Sequence, residues 1–203
     1  MMSLRKKYNL FMIGYGVLLL LVSVLATDCS LDRSSNEHVS KPVLPDTAVY
    51  VSTPDSLPFG FDISDQARFT VQKNKEGEYF CNVLYPSLKA NLYCTWHRIK
   101  ADDLMQMVEE SRSLAYAHLQ KATAIDEQLY ENDKRGVYGI LYDIQGPVAT
   151  PIQIALTDSV SCFFNASLYF QSDMSNTDSI APYLEYIRKD VMQLVETFTV
   201  KAD

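Results

Sequence analysis

The residues able to do covalent or acid–base chemistry are few. The chain of 203 residues holds 4 cysteines and 3 histidines, and their spacing limits what they can be. Cys29 closes an uncharged apolar run, a position at which an exported chain can take a lipid. Cys81 and Cys94 fall opposite each other if the chain turns at Ser87 and Leu88, and an oxidising compartment lets such a pair close as a disulfide. Two buried thiols are the alternative. Cys162 lies in an apolar segment and reads as a small core residue. His97 completes no zinc spacing with Cys81 and Cys94, so no metal is expected. His118, Asp158 and Ser159 are the candidates for a hydrolytic triad, but neither a nucleophile elbow nor a Gly-rich phosphate loop accompanies them. The expectation is a protein that is not an enzyme, with no cofactor and no small-molecule substrate.

Residues 1–28 read as an export signal, with Arg5, Lys6 and Lys7 ahead of a stretch from Leu10 to Ala26 that carries no charge. That stretch is short for a membrane span, which needs ~20 apolar residues. Leu25-Ala26-Thr27-Asp28-Cys29 is similar to a lipobox, in which the signal is cut just before a cysteine carrying diacylglycerol; Asp28 stands where a small neutral residue is usual. Cleavage after Ala26 by the ordinary signal peptidase competes, and lipidation of Cys29 is preferred. Residues 29–48 are polar, carry Pro42 and Pro45 and show no hydrophobic period, so they read as a flexible tether with a reach of ~25 Å. Residues 49–203 are expected to form a single globular domain, since 47% hydrophobic and 21% charged residues suffice for one core. The net charge is −7, and removing residues 1–28, with 3 basic residues and 1 acidic residue, leaves 15 Lys and Arg against 24 Asp and Glu. So acidic a body excludes nucleic acid as a partner, because a phosphate backbone requires clustered cations.

The elements that must position these residues follow from periodicity. Val49–Val51, Arg68–Gln72, Glu78–Tyr85 and Leu92–His97 are β-rich runs between turn residues, the pattern of antiparallel strands. From Asp102 the period is helical: Leu104, Met107, Val108, Ser111, Leu114, Ala115, His118 and Ala122 form an inward stripe. After a polar turn, Tyr138, Ile140, Tyr142 and Ile144 alternate with Val137, Gly139, Leu141 and Asp143 as in a strand. Ile152–Leu156 and Cys162–Phe170 pair through Asp158-Ser159, and the latter run is apolar on both faces, which requires cover on both. A closing helix buries Ile180, Tyr183, Leu184, Ile187, Val191, Leu194, Val195 and Phe198. Strands, helix, strands, helix make an α+β fold, an antiparallel sheet covered by two helices. Packing leaves Glu110, Arg112, Tyr116 and Asp143 unexplained beside the first stripe, and these are expected to form a partner surface.

Several segments together carry a family resemblance. Glu110-Ser111-Arg112-Ser113-Leu114-Ala115-Tyr116-Ala117-His118, Lys121-Ala122-Thr123-Ala124-Ile125 and Val137-Tyr138-Gly139-Ile140-Leu141-Tyr142-Asp143-Ile144-Gln145-Gly146 resemble the gliding-motility lipoprotein GldD family of the Bacteroidota. The likeness continues in Leu156-Thr157-Asp158-Ser159, Leu168-Tyr169-Phe170, Asp178-Ser179-Ile180-Ala181-Pro182 and Val195-Glu196-Thr197-Phe198. The chain departs from the family pattern at Asn165-Ala166, where Arg-Gly is expected, and around Phe80-Cys81, where a tryptophan is. The resemblance implies an envelope lipoprotein, lipid-anchored to a membrane and facing the periplasm, that acts through protein contacts with other gliding and type IX secretion proteins. A periplasmic ligand- or cargo-binding, chaperone-like module is the alternative. The order of elements is similar to that of the PsbP and Mog1 class of small adaptor domains, a likeness of fold only. Asp46-Thr47-Ala48 fits the short Asp-Ser/Thr-apolar sequon of periplasmic O-glycosylation in that phylum, which makes Thr47 a glycosylation candidate.

Overall fold

Alternation of apolar and polar residues produces one large antiparallel sheet in the computed structural model, which describes residues 48–171 and 177–201. Cys29, Thr47, the export signal and the tether up to residue 47 lie outside the described residues. The elements in order are β1 (Tyr50–Ser52), β2 (Phe59–Gly60), β3 (Asp62–Ser64), β4 (Arg68–Lys73), β5 (Tyr79–Tyr85), β6 (Ala90–Arg98), α1 (Leu104–Tyr116), β7 (Ala124–Asn132), β8 (Val137–Gln145), β9 (Ile152–Thr157), β10 (Cys162–Phe170), α2 (Thr177–Thr197) and β11 (Thr199–Val200). Seven strands lie in the order β4-β5-β6-β10-β9-β8-β7, while β1 pairs with β3 and β11 with β2. Every pairing is antiparallel. The fold is therefore α+β, as expected from the periodicities.

Successive strand residues face opposite ways, and the register turns this into two unlike surfaces. On one face Val83, Leu92, Ile154, Leu156, Phe164 and Leu168 are buried with Tyr183, Ile187, Val191, Leu194 and Val195 of α2. Phe59 and Phe61 extend this layer from β2 and the residue before β3, and Phe198 closes it after α2. On the other face α1 covers Phe163 and Ala155 with Leu104, Met107 and Val108, while its Ala115 packs on Tyr142 and Ile144. On the α2 face Gly139 lets β8 and β9 approach, since a Cβ would collide with the Ala155 carbonyl oxygen and the Leu156 side chain.

The first helix is shorter than its periodicity predicts. It ends at Tyr116, and His118 and Ala122 lie in turns beyond it. The His118 amide donates to Ala115 O and the Leu119 amide to Tyr116 O, the tighter i→i−3 pattern of a fraying helix end. The Thr123 amide then bonds Gln145 O, which commits the chain to the sheet. Leu114 is not inward either: it is 58% exposed. The buried line is Ser111 and Ala115, small residues that bring the helix close to the strands and leave bulkier neighbours on its flanks.

Candidate functional site

The strand pairing places Cys81 directly across from Cys94. Both are buried free thiols, as is Cys162. Burial pushes the Cys81 and Cys162 thiols up to about 12, and Cys94 rises well above the ordinary thiol range for the same reason. Thiolate, the reactive form, is scarce under these conditions. A thiol reagent is accordingly expected to leave Cys81, Cys94 and Cys162 unlabelled in the folded protein and to label all three after unfolding. Labelling of Cys162 alone after unfolding, without reductant, would show that oxidation in the exported protein joins Cys81 to Cys94.

The three residues that could make a hydrolytic triad are kept apart. Asp158 follows Thr157, which pairs with Tyr138 near the start of β8. His118 precedes Thr123, which bonds Gln145 at the opposite end of β8. Seven residues of strand separate the two ends, about 24 Å at ~3.4 Å per residue, far beyond the hydrogen-bond reach a general base needs. Asp158 has a different task. Its Oδ1 accepts the amides of Val160, Ser161 and Cys162, and its Oδ2 accepts the Ser161 hydroxyl. Burial raises its carboxyl, but these bonds outweigh burial and hold it below the ordinary range. It staples the turn between β9 and β10, in which Ser159 takes a left-handed conformation with φ 67°. Among the described residues no group of His, Cys, Asp or Glu could hold a metal ion.

The four residues expected to form a partner surface do not share one. Glu110, Arg112 and Tyr116 lie on α1, where Arg112 stacks over the Tyr116 ring at 5.2 Å and approaches Glu127 of β7 at 3.7 Å, and Glu110 accepts from Gln106 at 2.8 Å. Asp143 has the parity of Leu141, so it faces α2 on the opposite side of the sheet. There Arg188 Nη2 bonds both of its carboxylate oxygens at 2.8 Å. Asp143 ties β8 to α2, and that contact across the fold is invisible to a reading of α1 and β8 alone.

The surface that stands out is the half of the sheet that α1 leaves bare. A helix of 13 residues spans ~20 Å, whereas seven strands at ~4.8 Å spacing span ~29 Å. Beyond α1 the same face carries Phe80 and Asn82 of β5, Asn91, Tyr93 and Thr95 of β6, and Asn165, Ser167 and Tyr169 of β10, aligned by the register. Tyr93 is 53% exposed, Phe80 42% and Tyr169 40%. Tyr93 and Tyr169 pack edge to face at 5.6 Å. Asn91 donates to Asn82 and Asn82 to Thr70, each at 3.4 Å, while Thr95 donates to Asn165. The Asn91 side-chain oxygen Oδ1 is buried without a hydrogen-bond partner. Between Arg68 on β4 and the His97–Glu78 pair, joined at 2.7 Å, no described strand residue of this face carries a charge. Sequence reasoning missed this site because exposed aromatics within a strand look like core until the helix that fails to cover them is measured. Its signal lay in the hairpin parity, which puts Asn82 opposite Tyr93.

A family model described as gliding motility lipoprotein GldD matches residues 38–200. Among curated proteins none matches the chain. Among solved structures, the solution structure of cyanobacterial PsbP (CyanoP) from Synechocystis sp. PCC 6803 is similar, at 11% identity and a TM-score of 0.41, over 76% of this chain and 94% of that one.

Proposed function

The chain belongs to the gliding motility lipoprotein GldD family, and from that premise we propose that it is a non-enzymatic, membrane-anchored envelope protein that holds partner proteins of the gliding and type IX secretion apparatus through the bare sheet face. As a member of a lipoprotein family it is anchored to a membrane of the envelope. In the proposal the anchor is a lipid on Cys29, and the domain faces the periplasm at the end of its tether. The observation that carries the reading is the composition of the face. Protein interfaces are distinguished by aromatic enrichment and charge depletion at their centre, and Phe80, Tyr93 and Tyr169 stand exposed on a charge-free surface of an otherwise acidic chain. Buried tyrosines at interface centres often dominate binding energy.

The test is to replace Tyr93 and Tyr169 together with lysine. Both side chains are substantially exposed, so folding stability should change by less than ~1 kcal/mol. Gliding and secretion of type IX cargo are expected to fall toward the level of a deletion strain. Normal gliding and secretion with the double variant present at wild-type levels would remove the face from the mechanism, and normal secretion in the deletion strain would remove the secretion role.

The chaperone-like alternative needs an apolar cleft between helix and sheet. The opening between α2 and the end of β8, lined by Ile144, Val148, Ile180 and Leu184 among others, measures about 170 Å³. Ligand clefts are usually ~300–1,000 Å³, larger than this opening.

A further inference from the structure

We propose that the open edge of β7 takes up an extended segment of a partner protein as a further strand of the sheet, a segment in which basic residues flank an apolar one. This contact lies at the other end of the sheet from the bare face and is independent of it. Among the described residues β7 ends the seven-stranded sheet and pairs only with β8. The pairing runs unbroken from Ala124 opposite Gln145 to Asn132 opposite Val137. A strand paired on one side turns the other half of its backbone N–H and C=O groups outward, and such a row is a template for another strand. No backbone group of the described residues takes up that outer row.

Folded proteins blunt an edge by keeping it short, bending it with a bulge, or placing proline or lysine on it. The opposite edge obeys: β4 has 6 residues and carries Arg68 and Lys73. β7 has 9, with no proline and no basic residue, and carries Asp126, Glu127 and Glu131. Acids alone would guard the edge, but here they bracket Leu129, which at 76% is the most exposed large hydrophobic side chain among the described residues. Residues two apart in a strand share a face, so Glu127, Leu129 and Glu131 stand in one row at ~6.8 Å intervals. Leu129 pairs with Ile140, which packs on the core under α1, so the row continues an apolar step outward. Arg112 of α1 meets Glu127 at 3.7 Å, but both side chains are partly exposed and such a pair is weak. A strand laid along this edge sets its own alternate residues beside the row, and opposite charges or apolar groups directly across a ladder attract. The fitting sequence is therefore a cation two residues before and two after an apolar side chain. A second copy of this chain does not offer it. Its β7 would bring acids against acids, and its β4 places Arg68 in a row with Thr70 and Gln72, and Lys73 in a row with Phe69 and Val71.

The probe is a fluorescein-labelled peptide, Thr-Ser-Lys-Thr-Val-Thr-Lys-Ser-Thr, titrated with the full-length protein in neutral detergent micelles and followed by anisotropy. Saturable binding is expected, with amide hydrogen exchange slowed over residues 124–132 and unchanged over 68–73. The double variant Glu127→Lys and Glu131→Lys should keep its Tm, since both side chains lie at the surface, and bind the peptide roughly tenfold or more weakly. A peptide with glutamate in place of both lysines should reverse this preference. Two further peptides, each N-methylated along one of the two alternating sets of residues, separate strand addition from charge attraction. Methylation of the set whose amides face β7 should abolish binding, and methylation of the other set should leave it. Equal binding of the two methylated peptides, protection of 68–73 in place of 124–132, or no saturable binding overturns the proposal. Self-association of the protein that the double variant loses would make a second copy the occupant and overturn it as well.

Discussion

Phe164→Ala is expected to cost about 3–5 kcal/mol of folding stability, the range for removing a fully buried phenylalanine. Phe164 has no exposed surface. Its ring lies 5.0 Å from that of Phe198, 5.6 Å from Phe61 and 6.1 Å from Phe59. These partners come from the end of α2 and from the β2–β3 segment, so one side chain on β10 joins the sheet to the layer above it. Aromatic neighbours around it cannot collapse into the space left by alanine, and a cavity term adds to the lost burial. Domains of this size are usually stable by ~5–15 kcal/mol, so the variant would lose a large share of its margin. Urea unfolding followed by circular dichroism measures the loss. Phe80→Ala on the bare face is the control, expected to cost under ~1 kcal/mol because Phe80 is 42% exposed. Similar losses at the two positions would contradict the two-sided account of the sheet.

Asp190→Asn is expected to act in the other direction and to stabilise the protein at neutral pH. Asp190 is 2% exposed on the inner side of α2. Tyr50 donates its hydroxyl to Oδ1 at 3.1 Å, the nearby Tyr85 hydroxyl favours the charged form, and Oδ2 is buried without a hydrogen-bond partner. Burial raises the carboxyl from 3.8 to about 6, the two tyrosines offset part of that rise, and the charge of Asp65 adds to it. A carboxyl whose folded value exceeds its unfolded value favours the fold while protonated. Its contribution is complete below about pH 4 and is lost as pH rises through about 6. At 1.36 kcal/mol per pH unit, the ionised group costs on the order of 2–3 kcal/mol at pH 7. Asparagine keeps the acceptor for Tyr50 without the charge. The difference between variant and native protein should therefore approach ~2–3 kcal/mol at pH 7 and vanish near pH 4. Asp158 and Glu78, both held below the ordinary range, shape the remaining pH dependence in the opposite sense and cancel in this difference. A gain independent of pH, or a loss at pH 7, would contradict the assignment of strain to Asp190.

Much of this architecture was legible in the residues. The turn at Ser87 and Leu88 places Cys81 opposite Cys94, and the stripe from Ile180 to Phe198 identified the helix that closes the core. Tyr138 to Ile144 alternate as a strand must, because a period of two is a local property that no tertiary contact needs to supply. What escaped was set by contacts distant in sequence. Asp143 belongs to Arg188, 45 positions away. The helix beginning at Leu104 stops at Tyr116 because Thr123 finds Gln145, and residues 117–122 keep a helical composition without a helical partner. Leu114 satisfied the i, i+3, i+4 rule but lay off the line along which Ser111 and Ala115 meet the strands. The bare face was hidden for the same reason: aromatic alternation reports a strand but not whether the far side is covered.

The proposed role of that face is tested most directly by photocrosslinking in living cells. A photoreactive phenylalanine analogue is placed singly at Tyr93, at Tyr169, and, as a control on α1, at Met105, which is 71% exposed. The account predicts discrete adducts with envelope proteins of the gliding and secretion apparatus from positions 93 and 169 and none of these from position 105. Adducts arising only from position 105, or none from 93 and 169 in cells that glide normally, would contradict it.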